Sequence, residues 1–287
     1  MERMKQTDPR PAALAGMWYS AEPEQLRREV EYFLQDAPPP VFTDEIVGLF
    51  APHAGHHYSG PVAGHAFRAI QGNSYETIAV VSPFHRGYFH PLLTSSHDSY
   101  STPLGDVPVD TGSQARLSDW LQKHSEENLI AIRQDQEHAI EIELPFLQIA
   151  VSGPFELLPV MISDTRPETA KDLGQALAAV LQNKQALLVA STDLSHFYPE
   201  PVANRLDQAM LEAIASFDPK QVIAVQRSGK GQACGVLPVL AVMSAAQALG
   251  ANQAHVFHYA TSGATSGDYA RVVGYGAGGF TRQPQPG

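Results

Sequence analysis

Residues 48–60 read GLFAPHAGHHYSG. An apolar run stops at Pro52, His53 follows at once, and His56 and His57 come close behind. With its upstream neighbours the run EIVGLFA (45–51) predicts a strand without polar alternation, the pattern of a strand covered on both faces. Proline lacks the ladder donor and helps to stop such a strand. Two other runs end in a similar way: TIAVVSP (77–83) leads to His85, and ALLVAST (186–192) leads to Asp193 and His196. Parallel strands would bring these three ends to one edge of a sheet, where open α/β sheets bind their ligands. His53, His85, Asp193 and His196 are therefore expected in one crevice. His56 and His57 either line it or face solvent.

The rest of the chain alternates in the same manner. EPEQLRREVEYFLQD (22–36) carries Leu26, Val30 and Phe33 at helical spacing. Helical patterns follow at 60–70, 111–124, 166–183, 201–216, 218–227 and 233–249, and FELLPVMI (155–162) reads as a strand. HAIEIELPFLQIAV (138–151) reads as helical or mixed, with Pro145 bending or interrupting it. HVFHYATS and YARVVGYGAGGF close the chain as a strand pair. Strand–helix alternation argues for an α/β sheet with helices on both faces. No repeat or composition break divides the chain, so residues 1–287 are taken as one domain, with 1–14 and 281–287 loosely ordered.

Composition narrows the function classes. The 287 residues are 44% hydrophobic and 17% charged, with a net charge of −11. That is a globular balance, and its sign argues against nucleic acid or an anionic membrane surface as partner. No run approaches a membrane span, and residues 1–16 lack an apolar signal core, so a cytoplasmic location is the expectation. A single cysteine, Cys234, rules out an internal disulfide. It follows a glycine-rich loop at the start of an apolar helix, where a helix N-terminus can stabilise a thiolate. Such a sulfur could be a metal ligand, a nucleophile or simply a small buried side chain. In DQEHAIEIELP (135–145), His138 and Glu141 sit at i and i+3 and would orient a ligand or mark a solvated helix start. No dinucleotide, phosphate-loop or serine-hydrolase signature is present.

Several motifs occur together in order: AGMWY (15–19), APHAGHHYSG (51–60), SPFH (82–85), TPLGDVPVD (102–110), EHAIEIELPF (137–146), LPVMI (158–162), STDLSH (191–196) and Cys234-Gly235. With these the chain resembles the Memo family, whose bacterial and archaeal members are called AmmeMemoRadiSam system protein B. The resemblance implies a three-layer α/β/α fold with a central mixed, largely parallel sheet, similar to class III extradiol dioxygenases. It implies His53, His85 and Cys234 as ligands of iron(II) or copper, with zinc as the further option. His138, Asp193 and His196 would serve catalysis in the pocket, and Trp18, His56, His57 and Glu141 would meet the substrate. AMMECR1-like and radical SAM proteins are the partners that the family context implies. Phe84 and Arg86 flank His85 where animal members have serine and histidine.

Three functions compete. The first is a dioxygenase-like redox metalloenzyme acting on a small molecule, with His138 or His196 as general acid or base and Asp193 orienting a histidine. The second is a non-catalytic module that holds a peptide or small molecule in the same crevice. The third is a zinc-dependent hydrolase.

Overall fold

A computed structural model describes residues 7–41, 44–133 and 135–283. The chain begins with β1 (Pro9–Arg10), α1 (Pro23–Asp36), β2 (Glu45–Ala51), α2 (His56–Arg68) and β3 (Thr77–Pro83). Three short strands follow, β4 (Leu92–Ser95), β5 (Ser99–Thr102) and β6 (Gly105–Pro108), then α3 (Thr111–His124) and β7 (Leu129–Ile132). The middle of the chain holds α4 (Ala139–Ala150), β8 (Glu156–Ile162), α5 (Pro167–Leu181), β9 (Ala186–Ser191) and β10 (His196–Tyr198). It ends with α6 (Glu200–Ala215), α7 (Pro219–Arg227), α8 (Val236–Ala248), β11 (Gln253–Thr261), α9 (Gly263–Ser266) and β12 (Val272–Arg282).

The main sheet runs β10-β12-β2-β9-β3-β8-β4-β7, with β11 also paired to β12. Its centre is parallel: β2 pairs β9, β9 pairs β3 and β3 pairs β8. The flanks are mixed, since β12 is antiparallel to β2 and β4 is antiparallel to β8. The centre is apolar throughout because each strand feeds two cores. Ala79, Val81, Leu188 and Ala190 face one, packed with residues of α3, α5, α6, α7 and α8. Ile78, Val80, Leu187 and Val189 face the other, packed with α1, α2 and α4. Each fully buried Val or Leu contributes roughly 1.5–3 kcal/mol. This is the expected three-layer architecture, and the closing strand pair is also found.

Several local expectations change. The helix expected over 60–70 begins at His56, so His56 and His57 lie in its first turn. Pro145 sits inside α4 without ending it. The short strands β4 to β7 escape a sequence reading: at four residues each they are too short to show a decisive period.

The N-terminal segment departs most. Residues 1–6 and 284–287 lie outside the described residues, but residues 7–14 and 281–282 are not loose. Thr281 and Arg282 end β12. Arg10 is buried, pairs in register with Tyr100, and sets its guanidinium 5.0 Å from that ring. The guanidinium donates to Asp135 at 2.8 Å, to Glu141 Oε2 at 2.7 Å and to the Glu137 carbonyl at 2.6 Å. Glu141 Oε1 accepts from the Leu14 N–H at 2.8 Å and the Tyr19 hydroxyl at 2.7 Å. A buried charge needs partners of this kind, and they fasten the first residues to the segment that carries Glu137 and His138. Arg10→Met should therefore leave two buried acids short of a partner and cost about 3–5 kcal/mol in a denaturant titration.

Candidate metal centre

β2, β9 and β3 are neighbours, so their C-terminal ends emerge side by side. Ala51 lies opposite Ser191 in the ladder, and the Thr192 N–H continues it to the Ala51 carbonyl at 2.8 Å. Beyond these ends stand His53, Asp193 and His85. Two more chain segments reach the same edge: Glu137-His138, immediately before α4, and Cys234, immediately before the Gly235 that caps α8. Ring centroids lie 5.2 Å apart for His53 and His85, 5.3 Å for His53 and His138, and 4.5 Å for His85 and His138. One nitrogen from each of these three lies within 4.8 Å of the others, close enough to hold a metal ion.

The surrounding hydrogen bonds decide which nitrogen faces the shared point. His85 Nδ1 lies 2.9 Å and His138 Nδ1 3.1 Å from the same oxygen, Glu137 Oε1. Burial opposes ionisation of Glu137, but hydrogen bonds from the His85 ring and backbone N–H outweigh it and hold the carboxyl down to about 2. An ionised carboxylate only accepts, so His85 Nδ1 carries the proton, while the His138 ring stands beside the carboxylate without an aligned hydrogen bond to it. His53 Nδ1 lies 2.9 Å from Ser191 Oγ, whose own hydrogen is directed to the Ala139 carbonyl or to Glu143. Ser191 must therefore accept from His53, and that Nδ1 is protonated as well. His53 and His85 thus keep an Nε2 lone pair, which is the form a metal requires. Burial, then His138 and His85, push His53 well below its ordinary value, and burial brings His138 to about 4. Both rings are neutral at pH 7. The donor set fits a transition metal.

Cys234 is placed differently from the expectation. Its Sγ lies 3.3 Å from His53 Nε2 and accepts from the Asp193 N–H at 3.2 Å. Among the described residues it is not a member of the three-donor group, whose third place belongs to His138. Nor does the helix lower its pKa: Cys234 precedes α8, and burial, then the Asp193 carboxyl, push the thiol up. In the absence of metal the S–H can donate to the His53 Nε2 lone pair.

Asp193 is buried, and its Oδ1 accepts the His53 backbone N–H at 2.9 Å. Burial raises this carboxyl to about 7. His196 is half-buried; its Nδ1–H donates to the Leu194 carbonyl at 2.9 Å, which leaves Nε2 uncommitted, and its charge is felt by His53.

The expected substrate residues divide. Trp18 lies against His138 with centroids 4.7 Å apart, and with the exposed His57 it lines a groove of about 530 Å³. His56 is buried between Tyr19 and Phe146, and its Nε2 lies 3.1 Å from the Ile142 carbonyl. Glu141 is spent on Arg10, Leu14 and Tyr19, so it fastens the N-terminal segment instead of meeting a ligand. It cannot pair with His138, whose ring turns to Glu137. Sequence reasoning missed Glu137 and Ser191. The acid preceding His138 was the available signal for the first; a serine ending an apolar strand carries none for the second.

A parallel-centred α/β sheet with a three-histidine cluster at its C-terminal edge defines an α/β protein equipped to hold a metal. The chain matches the model of the Memo-like protein family over residues 10–279. It is 33% identical to a MEMO1 family protein of Methanopyrus kandleri, covering 95% of this chain and 99% of the relative. It is 30% identical to one of Aquifex aeolicus, covering 93% and 97%. An uncharacterized protein from Escherichia coli K12 shares the fold with a TM-score of 0.54 and 15% identity, over 81% of this chain and 99% of that one. The chain belongs to the Memo family.

Gly235 seats Cys234 at the centre. A Cβ here would stand 2.4 Å from the Ser191 carbonyl oxygen and 2.6 Å from Thr192 Cβ, so α8 can approach β9 only with glycine. Gly235→Ala is expected to cost about 1–3 kcal/mol by overpacking. The Cys234 thiol should also react faster with a disulfide reagent than in the wild type.

Proposed function

We propose that this Memo family protein is a metal-dependent redox enzyme, in which His53, His85 and His138 hold iron(II) or copper beside a small-molecule site. One observation carries the reading: one ring nitrogen from each of His53, His85 and His138 lies within 4.8 Å of the others, and the Nδ1 atoms of His53 and His85 are already committed to fixed partners. Imidazole suits both metals, and a set that leaves coordination positions open supplies electron transfer or dioxygen chemistry when the ion is bound. Cys234 is within reach as a fourth donor once its S–H proton leaves; a thiolate would favour copper(I) over the carboxylate-containing set of a dioxygenase.

The chain's own residues divide the remaining work. Asp193 fixes the His53 backbone, and Glu137 fixes the ring of His85 and the backbone of His138. His196 Nε2 is the proton acceptor not tied into this set, so general acid–base work falls to His196 instead of His138. Trp18 covers one face of His138 and borders the groove through which a small molecule would approach.

A second reading is favoured by the all-imidazole donor set. The same donor set on zinc lowers the pKa of a bound water and supports hydrolysis.

Metal analysis of protein produced without oxygen separates these readings. The proposal expects iron or copper bound in stoichiometric amount, with His85→Ala and His138→Ala weakening uptake at least tenfold. Cys234→Ala should retain binding while shifting the preference away from copper. Zinc alone at full occupancy would favour the hydrolase, and full retention of metal in His138→Ala would overturn the ligand set.

A further inference from the structure

Behind His53 lies a second acid that the proposed chemistry does not use. Glu143 is fully buried on α4, and its Oε1 lies 2.6 Å from Ser191 Oγ. Ser191 Oγ also lies 2.9 Å from the Ala139 carbonyl and 2.9 Å from His53 Nδ1. We infer that Glu143 is kept as a neutral carboxylic acid that donates its proton to Ser191, and that through this hydroxyl it positions His53 for the metal. The inference rests on the reading of His53 as a ligand.

The argument is a count of hydrogens. A serine hydroxyl donates once and accepts twice. The Ala139 carbonyl can only accept. Were Glu143 ionised, it too could only accept, and two acceptors would compete for the single Ser191 hydrogen. Its Oε2, buried and without a hydrogen-bond partner, would carry charge with no donor to answer it. With the carboxyl protonated, all three contacts close. Glu143 donates to Ser191, His53 Nδ1–H donates to Ser191, and Ser191 donates to Ala139. Burial and the nearby Asp193 carboxyl favour the neutral acid in the same direction.

The consequence is an uneven centre. His85 gives its Nδ1–H to an ionised carboxylate, which raises the electron density of the ring and its strength as a ligand. His53 gives its proton to a neutral hydroxyl that already receives a second one from Glu143. Glu143 is thus a positioning residue. It fixes the His53 tautomer without adding negative charge, and it leaves His53 a weaker donor than His85.

Three variants test this, each with readouts in metal-free protein as well as metal titration. Glu143→Gln retains an N–H that can donate to Ser191. Glu143→Leu removes the donor, and Ser191→Ala removes the hub. Nitrogen-15 NMR of the imidazoles should show His53 as a single Nδ1–H tautomer in the wild type and in Glu143→Gln, and a mixture in the other two. Cobalt(II) titration should find affinity within about threefold of wild type for Glu143→Gln and a loss of about tenfold or more for Ser191→Ala and Glu143→Leu. An infrared difference spectrum, wild type minus Glu143→Gln, should contain the C=O band of a protonated acid at neutral pH. Absence of that band means that Glu143 is ionised and overturns the inference. So does an unchanged His53 tautomer in Ser191→Ala, and neither result requires Glu143→Leu to fold. Failure of the wild type to bind cobalt(II), iron or copper would instead refute the metal reading, while the tautomer and infrared results would still decide the state of Glu143.

Discussion

One carboxylate holds the candidate centre together. Glu137 accepts from the ring and the backbone of His85, from the backbone of His138 and from the Ala139 N–H, and it stands 3.1 Å from the His138 ring. Two chain segments about fifty residues apart are thereby joined by a single buried side chain. It fixes the tautomer of His85 and holds the backbone that carries His138. The carbonyl of the same residue accepts from Arg10, so even the N-terminal segment bears on the position of the centre.

The sheet supplies the other constraint. Strands that are parallel and adjacent must end at one edge, and here the ends of β2, β9 and β3 deliver His53, Asp193 and His85 to neighbouring places. Helix α4 runs beneath this edge, with His138 at its start and Glu143 one and a half turns further on. A helix placed in this way contributes to the ligand set and to the support behind it. The result is a site with an ionised acid behind His85 and a buried, charge-averse acid behind His53.

Much of this was legible in the sequence, and the limits have physical causes. Apolar runs ending in proline and histidine revealed the strands and located His53 and His85, because burial on both faces leaves an unmistakable composition. His138 was visible as a pocket residue, but its place in the ligand group depends on the turn before α4 that sets it beside His85, which periodicity does not encode. Cys234 as a ligand comes from the family resemblance, its place near a helix start leaving several roles open; the structure sets its Sγ 3.3 Å from His53 Nε2, with burial opposing its ionisation. Glu141 was read as facing the site because i and i+3 share a helix face. The competing fact was a buried arginine some 130 residues away in sequence, which no local rule could supply. The N-terminal segment was read as loose for the same reason: its order comes from long-range ion pairing, not from local propensity.

The most direct test of the central claim is X-ray absorption at the metal edge of reconstituted protein, wild type against His138→Ala. Three imidazole nitrogens at about 2.0–2.1 Å are predicted for the wild type, falling to two in the variant. Identical spectra for the two proteins, or a first shell of oxygen alone, would contradict the account.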